Sequence, residues 1–143
     1  VGCGSGAGRG SGQGELADGL VEVREVRGRL RALLRAEPGE RTVALTRWAA
    51  ELPIRAVIED RDGLPGLRPA AGPGAGLAQR LAVRAVRELL DLAAAGDWSR
   101  LRMCGAAPCE DAFIDRSRPG RRLFCSTKCA NRAHAAASRA RHR

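Results

Sequence analysis

The sequence predicts an α+β chain: a small, mainly helical N-terminal domain with a short β-hairpin, followed by a C-terminal metal-binding β-ribbon plus helix. Three observations predict it. Before residue 98, apolar residues recur in two long stretches with the period of about 3.6 that marks amphipathic helices. Between those stretches a short segment alternates with a period of two. Four of the five cysteines then fall in the last third, as Cys104-x4-Cys109 and Cys125-x3-Cys129, two short chelating pairs on either side of a hairpin-sized insert.

Residues 1–14, half of them glycine, carry no hydrophobic pattern and are expected to form a disordered leader, with Cys3 inside it. Residues 15–98 read as the helical domain. From Glu15 to Ala36, Leu16, Leu20, Val23, Val26, Leu30, Leu33 and Leu34 form an apolar stripe, which Glu37-Pro38-Gly39 ends. Residues 42–52 form a second, shorter helix with Trp48 on its apolar side, closed by Pro53.

In residues 54–60, Ile54, Ala56 and Ile58 alternate with Arg55, Val57 and Glu59, the pattern of a half-buried strand. Arg61-Asp62-Gly63 is a turn, Leu64 to Arg68 a return strand, and residues 69–76, rich in Pro, Gly and Ala, a loop. A third amphipathic helix covers Leu77 to Ala95, with Leu77, Leu81, Val86, Leu89, Leu90 and Ala93 on one side, and Gly96 stops it. Little chain separates it from Cys104, so Trp98 and Leu101 are expected to pack across the junction.

Residues 99–143 hold the metal module. Residues 112–115 and 121–124 flank Arg116-Ser117-Arg118-Pro119-Gly120, which has turn residues where a hairpin needs them, so the two segments are expected to pair as a ribbon. The run after Cys125 is rich in Ala and Arg and has no breaker. A C-terminal helix therefore starts near Ser126, a competent N-cap, and places Cys129 in its first turn, where the helix dipole favours a thiolate.

Thiolate is the soft ligand that zinc prefers, and Cys104, Cys109, Cys125 and Cys129 close a tetrahedron around one structural Zn2+ with no open position for substrate or activated water. Disulfides would need an oxidising compartment, whereas no secretory signal or membrane span is legible; the chain is expected to be cytoplasmic. Zinc would supply the folding free energy of the module, ~10–16 kcal/mol on the scale of zinc-finger peptides.

Charge is divided unevenly. Residues 1–98 hold 14 Arg against 13 acidic residues, and residues 99–143 hold 11 basic against 3 acidic. Four thiolates and one zinc ion add about −2, which leaves the last segment near about +6. Such an excess, almost all Arg, points to a polyanion, because guanidinium pairs bidentately with phosphate and guanine edges. A solvated basic end that only aids solubility is the plainer reading.

The run Cys104-x4-Cys109, Phe113-Ile114-Asp115-x-Ser117, Arg121-Arg122-x-Phe124-Cys125-Ser126 and Cys129-Ala130-Asn131-Arg132 resembles the CGNR-type zinc finger at the C-terminus of ABATE-domain proteins. The resemblance covers about 40 residues. Ala130 stands where the family's name has Gly, and Phe124 where Trp is usual; Ala is harmless at a helix start, and Phe keeps the aromatic body. Over residues 15–98 the likeness to an ABATE region is limited to the order of helix, short helix, hairpin and helix. The resemblance implies a bacterial, stress-induced regulator of transcription.

With the module folded, Arg116, Arg118, Arg121 and Arg122 lie on the ribbon or its turn, and Lys128, Arg132, Arg139, Arg141 and Arg143 on or beyond the last helix; either surface could meet the phosphates of duplex DNA. Asn131 and Arg132 suit adenine and guanine if that helix enters the major groove, or Asn131 instead braces the metal site and Arg132 clamps Asp111 or Asp115. His134, five residues after Cys129, could replace a cysteine in a Cys3His site, yet the four cysteines already close the tetrahedron, and His142 between two arginines reads as a solvated side chain. Redox or hydrolytic enzymes are disfavoured, with no Cys-x2-Cys in a βαβ setting, no H-E-x-x-H helix and no Gly-rich phosphate loop. A zinc-stapled protein-interaction module or an RNA-binding module is the alternative, although two Phe, two Trp and no Tyr offer few stacking platforms for RNA. The balanced helical domain could take a small-molecule effector, form a homodimer or support the finger.

Overall fold

The computed structural model describes residues 11–142; residues 1–10 of the expected leader (1–14), with Cys3, and Arg143 lie outside them, and residues 11–14 belong to a helix rather than to a leader. Three helices pack around one core. α1 (Ser11–Arg35) leads into α2 (Pro38–Ala50), and a hairpin of β1 (Ile54–Arg61) and β2 (Leu64–Ala71) precedes α3 (Leu77–Ala94). A 3-10 turn at Trp98–Arg100 joins β3 (Leu101–Met103), which pairs antiparallel with β4 (Ala112–Ile114), and α4 (Thr127–Arg141) ends the chain. The architecture is α+β, as expected, and among the described residues no helix is long and apolar enough to cross a membrane.

α1 starts at Ser11, four residues before the expected start, so it takes in Gly12 and Gly14. Once later turns are packed, adding a helical residue costs far less than nucleating a helix. Pro38 does more than stop α1. It occupies the first turn of α2, where its missing N–H has no helical partner to lose, so α2 begins four residues before the expected Thr42.

The core unites Leu33 of α1, Leu45 and Trp48 of α2, Ala82, Val86 and Leu89 of α3, and Leu101 of β3. Ile114 of β4 and Trp98 pack against it, so the junction residues do bridge the helices and the metal module. On α3 the buried side chains are Ala78, Ala82, Val83, Val86 and Leu89, whereas Leu77, Leu81 and Leu90 remain exposed. The buried stripe thus lies one position round from the expected one, because small alanines let α3 approach its neighbours closely.

Arg41 is an unexpected member of the interior, 4 % exposed. Its guanidinium donates to the carbonyls of Leu34 and Ala36 at the end of α1 and to those of Trp98 and Leu101 at the start of the metal module. A cation at a helix C-terminus satisfies carbonyls that have no helical partner. On the outside, Glu110 receives Arg31 and Arg35 of α1 at 2.9 and 2.8 Å.

The hairpin turns at Asp62-Gly63, both with positive φ, the conformation of a tight two-residue turn. β2 runs three residues past the expected Arg68, and Pro69 is accommodated inside it. Ile54 is half-buried against the core, as expected, but beyond it the strand is oriented opposite to the hydrophobic reading: Val57 and Glu59 are half-buried, while Ile58 is 68 % exposed. Ion pairs decide it. Arg68 binds Glu59 and Asp91 of α3, and Arg87 of α3 reaches Glu59 at 3.6 Å, which clamps the charged face of the hairpin to α3.

Candidate metal centre

β3 and β4 lead into and out of a loop that carries Cys104 and Cys109. Cys104 N–H donates to the carbonyl of Asp111 at 2.9 Å, and Cys109 N–H to that of Ala106 at 2.7 Å, which bends the chain so that both sulfurs face inward. The second pair approaches from the other side. Gly105 N–H donates to the carbonyl of Leu123 at 2.9 Å, and a Cβ at Gly105 would lie 3.4 Å from that oxygen. The Cys125 N–H points at the Cys104 sulfur at 3.5 Å. Ser126 caps α4 as expected, its Oγ accepting the Cys129 N–H at 3.3 Å, and Cys129 projects from the first turn.

The ribbon is not the expected one. Residues 112–115 and 121–124 do not pair; the partner of β4 is β3, whose three residues carry no alternating pattern long enough to read. Residues 116–126 form instead an irregular loop around Asp115. That carboxylate is fully buried and accepts the N–H and Oγ–H of Ser117 and the Arg122 N–H. The Ser117 hydroxyl foremost, then the Arg122 and Ser117 amides and the nearby Arg102 guanidinium, hold it below the usual carboxylate range.

Arginines fasten the loop further. Arg100 donates to the carbonyls of Asp115 and Ser117, Arg102 to that of Gly120, and Arg122 to those of Phe124 and Cys125 while lying over the Phe113 ring.

The four sulfurs of Cys104, Cys109, Cys125 and Cys129 all lie within 4.8 Å of one another. Cys109 and Cys125 are 3.8 Å apart, and Cys125 and Cys129 3.6 Å. A tetrahedron with zinc–sulfur bonds of about 2.3 Å has edges of about 3.8 Å. The site therefore fits one zinc ion, and a complete thiolate set gives it a structural role.

Electrostatics divide the thiols. Amides of Cys125 and Ala106 lower the Cys104 thiol to about 7. At Cys109 the Asp111 amide favours the thiolate, but burial, the Asp111 carboxylate and the sulfurs of Cys104 and Cys125 outweigh it, and the thiol is pushed up to about 12. The Cys129 sulfur, with burial, raises Cys125. A divalent cation relieves this crowding of like charge.

Residues 100–142 match the family model of the CGNR zinc finger. No curated protein matches the chain. The matched segment spans β3 to α4 and contains all four sulfurs. Its departures are well tolerated: Ala130 is helical, its N–H bonded to the carbonyl of Ser126, and Phe124 packs among the cysteines and meets His134 edge-on at 5.8 Å.

The basic residues separate into two groups. Arg122 is committed to the loop, Arg116 lies 3.6 Å from Asp97, and Arg132 points at the Cys129 sulfur at 3.7 Å rather than at Asp111 or Asp115. Arg118, Arg121, Lys128, Arg139 and Arg141, with the neutral Asn131, are exposed, as are Arg116 and Arg122 despite those contacts. Beside the sulfurs a cleft of about 460 Å³ is lined by Arg31, Lys128 and Arg132 together with Glu110 and Asp111. Asp115, which anchors the loop, and Arg41 were absent from the sequence-derived site; the Phe-x-Asp-x-Ser stretch was the available signal for the first.

Proposed function

We propose that the chain is a DNA-binding regulator of transcription in which a zinc-stapled, non-catalytic module presents α4 and the neighbouring arginines to duplex DNA. One observation carries this reading: α4 bears Lys128, Arg132, Arg139 and Arg141 with no acidic residue, and only Cys129 along it is buried. Zinc and the Ser126 cap hold its first turn, and the helix beyond Ala135 is largely exposed on every side. A rigid cationic helix of this kind is shaped to enter a major groove, with Asn131 on its open surface. Arg118 and Arg121 on the loop supply further phosphate contacts.

The fold order helix, helix, hairpin, helix supports an ABATE-like reading of residues 15–98. The stress-response role, the cytoplasmic setting and a small-molecule effector belong to the same proposal.

The test is retention of the zinc-loaded chain on random-sequence duplex DNA across a salt series. Binding through about six cations gives a log–log salt slope of about −5, and chelation abolishes it. Lys128→Ala reduces the slope by about 1. Salt-independent binding, or binding unchanged by chelation, contradicts the proposal; preference for single-stranded RNA supports an RNA-binding module instead.

A further inference from the structure

The two edges of the hairpin differ. Gly72 N–H donates to the carbonyl of Pro53, and the pairing continues Ile54↔Ala71, Arg55↔Ala70, Ala56↔Pro69 to Arg61↔Leu64. In an antiparallel ladder, hydrogen-bonded pairs alternate with non-bonded ones. Arg55, Val57 and Glu59 therefore aim their main-chain groups at β2, and Ala56, Ile58 and Asp60 aim theirs outward. On β2 the outward positions include Pro65 and Pro69, which have no N–H, so that edge is blocked. Among the described residues nothing blocks the edge of β1. Ala56, Ile58 and Asp60 are exposed, and among the described residues no backbone acceptor is bonded to their amides.

The geometry points to the open edge of β1 as a self-pairing surface, on which β1 of a second copy adds antiparallel about a twofold axis through Val57. The strand is complementary to itself in one register. With Val57 opposite Val57, Ala56 and Ile58 form the bonded pairs, and Arg55 lies opposite Glu59 twice, in the non-bonded pairs where side chains approach most closely. Shifting the axis to Ile58 sets Arg55 opposite Arg61, a repulsive pair. The product is a four-stranded sheet β2–β1–β1–β2. Ile58 and Leu67, 68 % and 70 % exposed and directly opposite in the hairpin, then join their counterparts in one apolar strip across the junction. This inference is independent of the DNA reading.

Sedimentation velocity on the zinc-loaded full chain, from about 5 to about 500 μM, should show reversible monomer–dimer exchange. Amide exchange over the same range should show protection rising at Ala56, Ile58 and Asp60 with concentration. Ile58→Pro removes an outward donor without removing a bond to β2, and Arg55→Glu sets like charges opposite; each should weaken the dimer at least about tenfold while zinc content and helicity hold. A chain that stays monomeric throughout, or a dimer in which those three amides gain no protection, overturns the inference. So does a dimer of wild-type strength in both variants. If either variant loses zinc or helicity, the wild-type amide protection alone decides.

Discussion

The guanidinium of Arg41 donates to the main-chain oxygen of Trp98 at 2.9 Å while lying 5.3 Å from the centre of the Trp98 ring. With its bonds to Leu34, Ala36 and Leu101, one side chain joins the end of α1 to the first residues of the zinc module. Burial lowers its pKa from the ordinary arginine value, and a guanidinium keeps its charge in a protein. Arg41→Met keeps the stem and strands several carbonyls; it should destabilise the zinc-loaded protein by about 2–4 kcal/mol in urea unfolding. A change within experimental error would show that these bonds contribute nothing net.

Leu101 sits in the same junction, on the short strand that opens the finger, yet its side chain is buried among those of Leu33, Leu45 and Trp48. Leu101→Ala should cost about 2–5 kcal/mol. Because the residue belongs to both parts, helix melting and zinc release should shift together. Separate transitions, with only one moved, would mean that the helices and finger fold independently.

Much of the finger was legible in the sequence because its determinants are local. Cysteine spacing fixes a chelate, and Ser126 three residues before Cys129 marks a helix start; both appear where expected. What escaped reading depends on partners distant in sequence. β3 is too short to show alternation, and its strand partner follows a cysteine loop that no local pattern reveals. Arg41 is flanked by Glu40 and Thr42 and looks like a surface residue until the four carbonyls meet around it. The hairpin's charged face turned inward because Arg68 and Glu59 of the hairpin pair with Asp91 and Arg87 of α3 and with each other, an arrangement that hydrophobic alternation cannot anticipate.

Zinc affinity should fall steeply with acidity. Cys109 and Cys125 have raised thiol pKa values in the metal-free fold, so both hold protons at neutral pH and must release them on binding. Apparent affinity therefore rises with pH, by at least about 100-fold per unit near neutrality. Below the Cys104 value of about 7 a further proton must be displaced, and the dependence steepens. Competition against a chromophoric chelator at pH 6, 7 and 8 measures this; a flat profile would contradict the thiol assignments.

Asp115→Asn tests the loop anchor. The buried carboxylate accepts three donors, and an amide turns one acceptor into a donor facing another donor. Zinc binding at neutral pH should weaken about tenfold. Since the folded carboxyl titrates below its unfolded value, the stabilisation is present above the ordinary carboxylate range and is lost as pH falls through the folded pKa. In urea unfolding of the metal-free chain, the wild type and variant should therefore converge in acid. Persistence of the full difference at low pH would assign the effect to packing instead.

X-ray absorption at the zinc edge of the metal-loaded chain, with metal stoichiometry, tests the central claim most directly. The arrangement of Cys104, Cys109, Cys125 and Cys129 predicts one zinc per chain and four sulfur neighbours at about 2.3 Å. Nitrogen or oxygen in the coordination shell, fewer than four sulfurs, or a chain that folds with these cysteines as disulfides would contradict it.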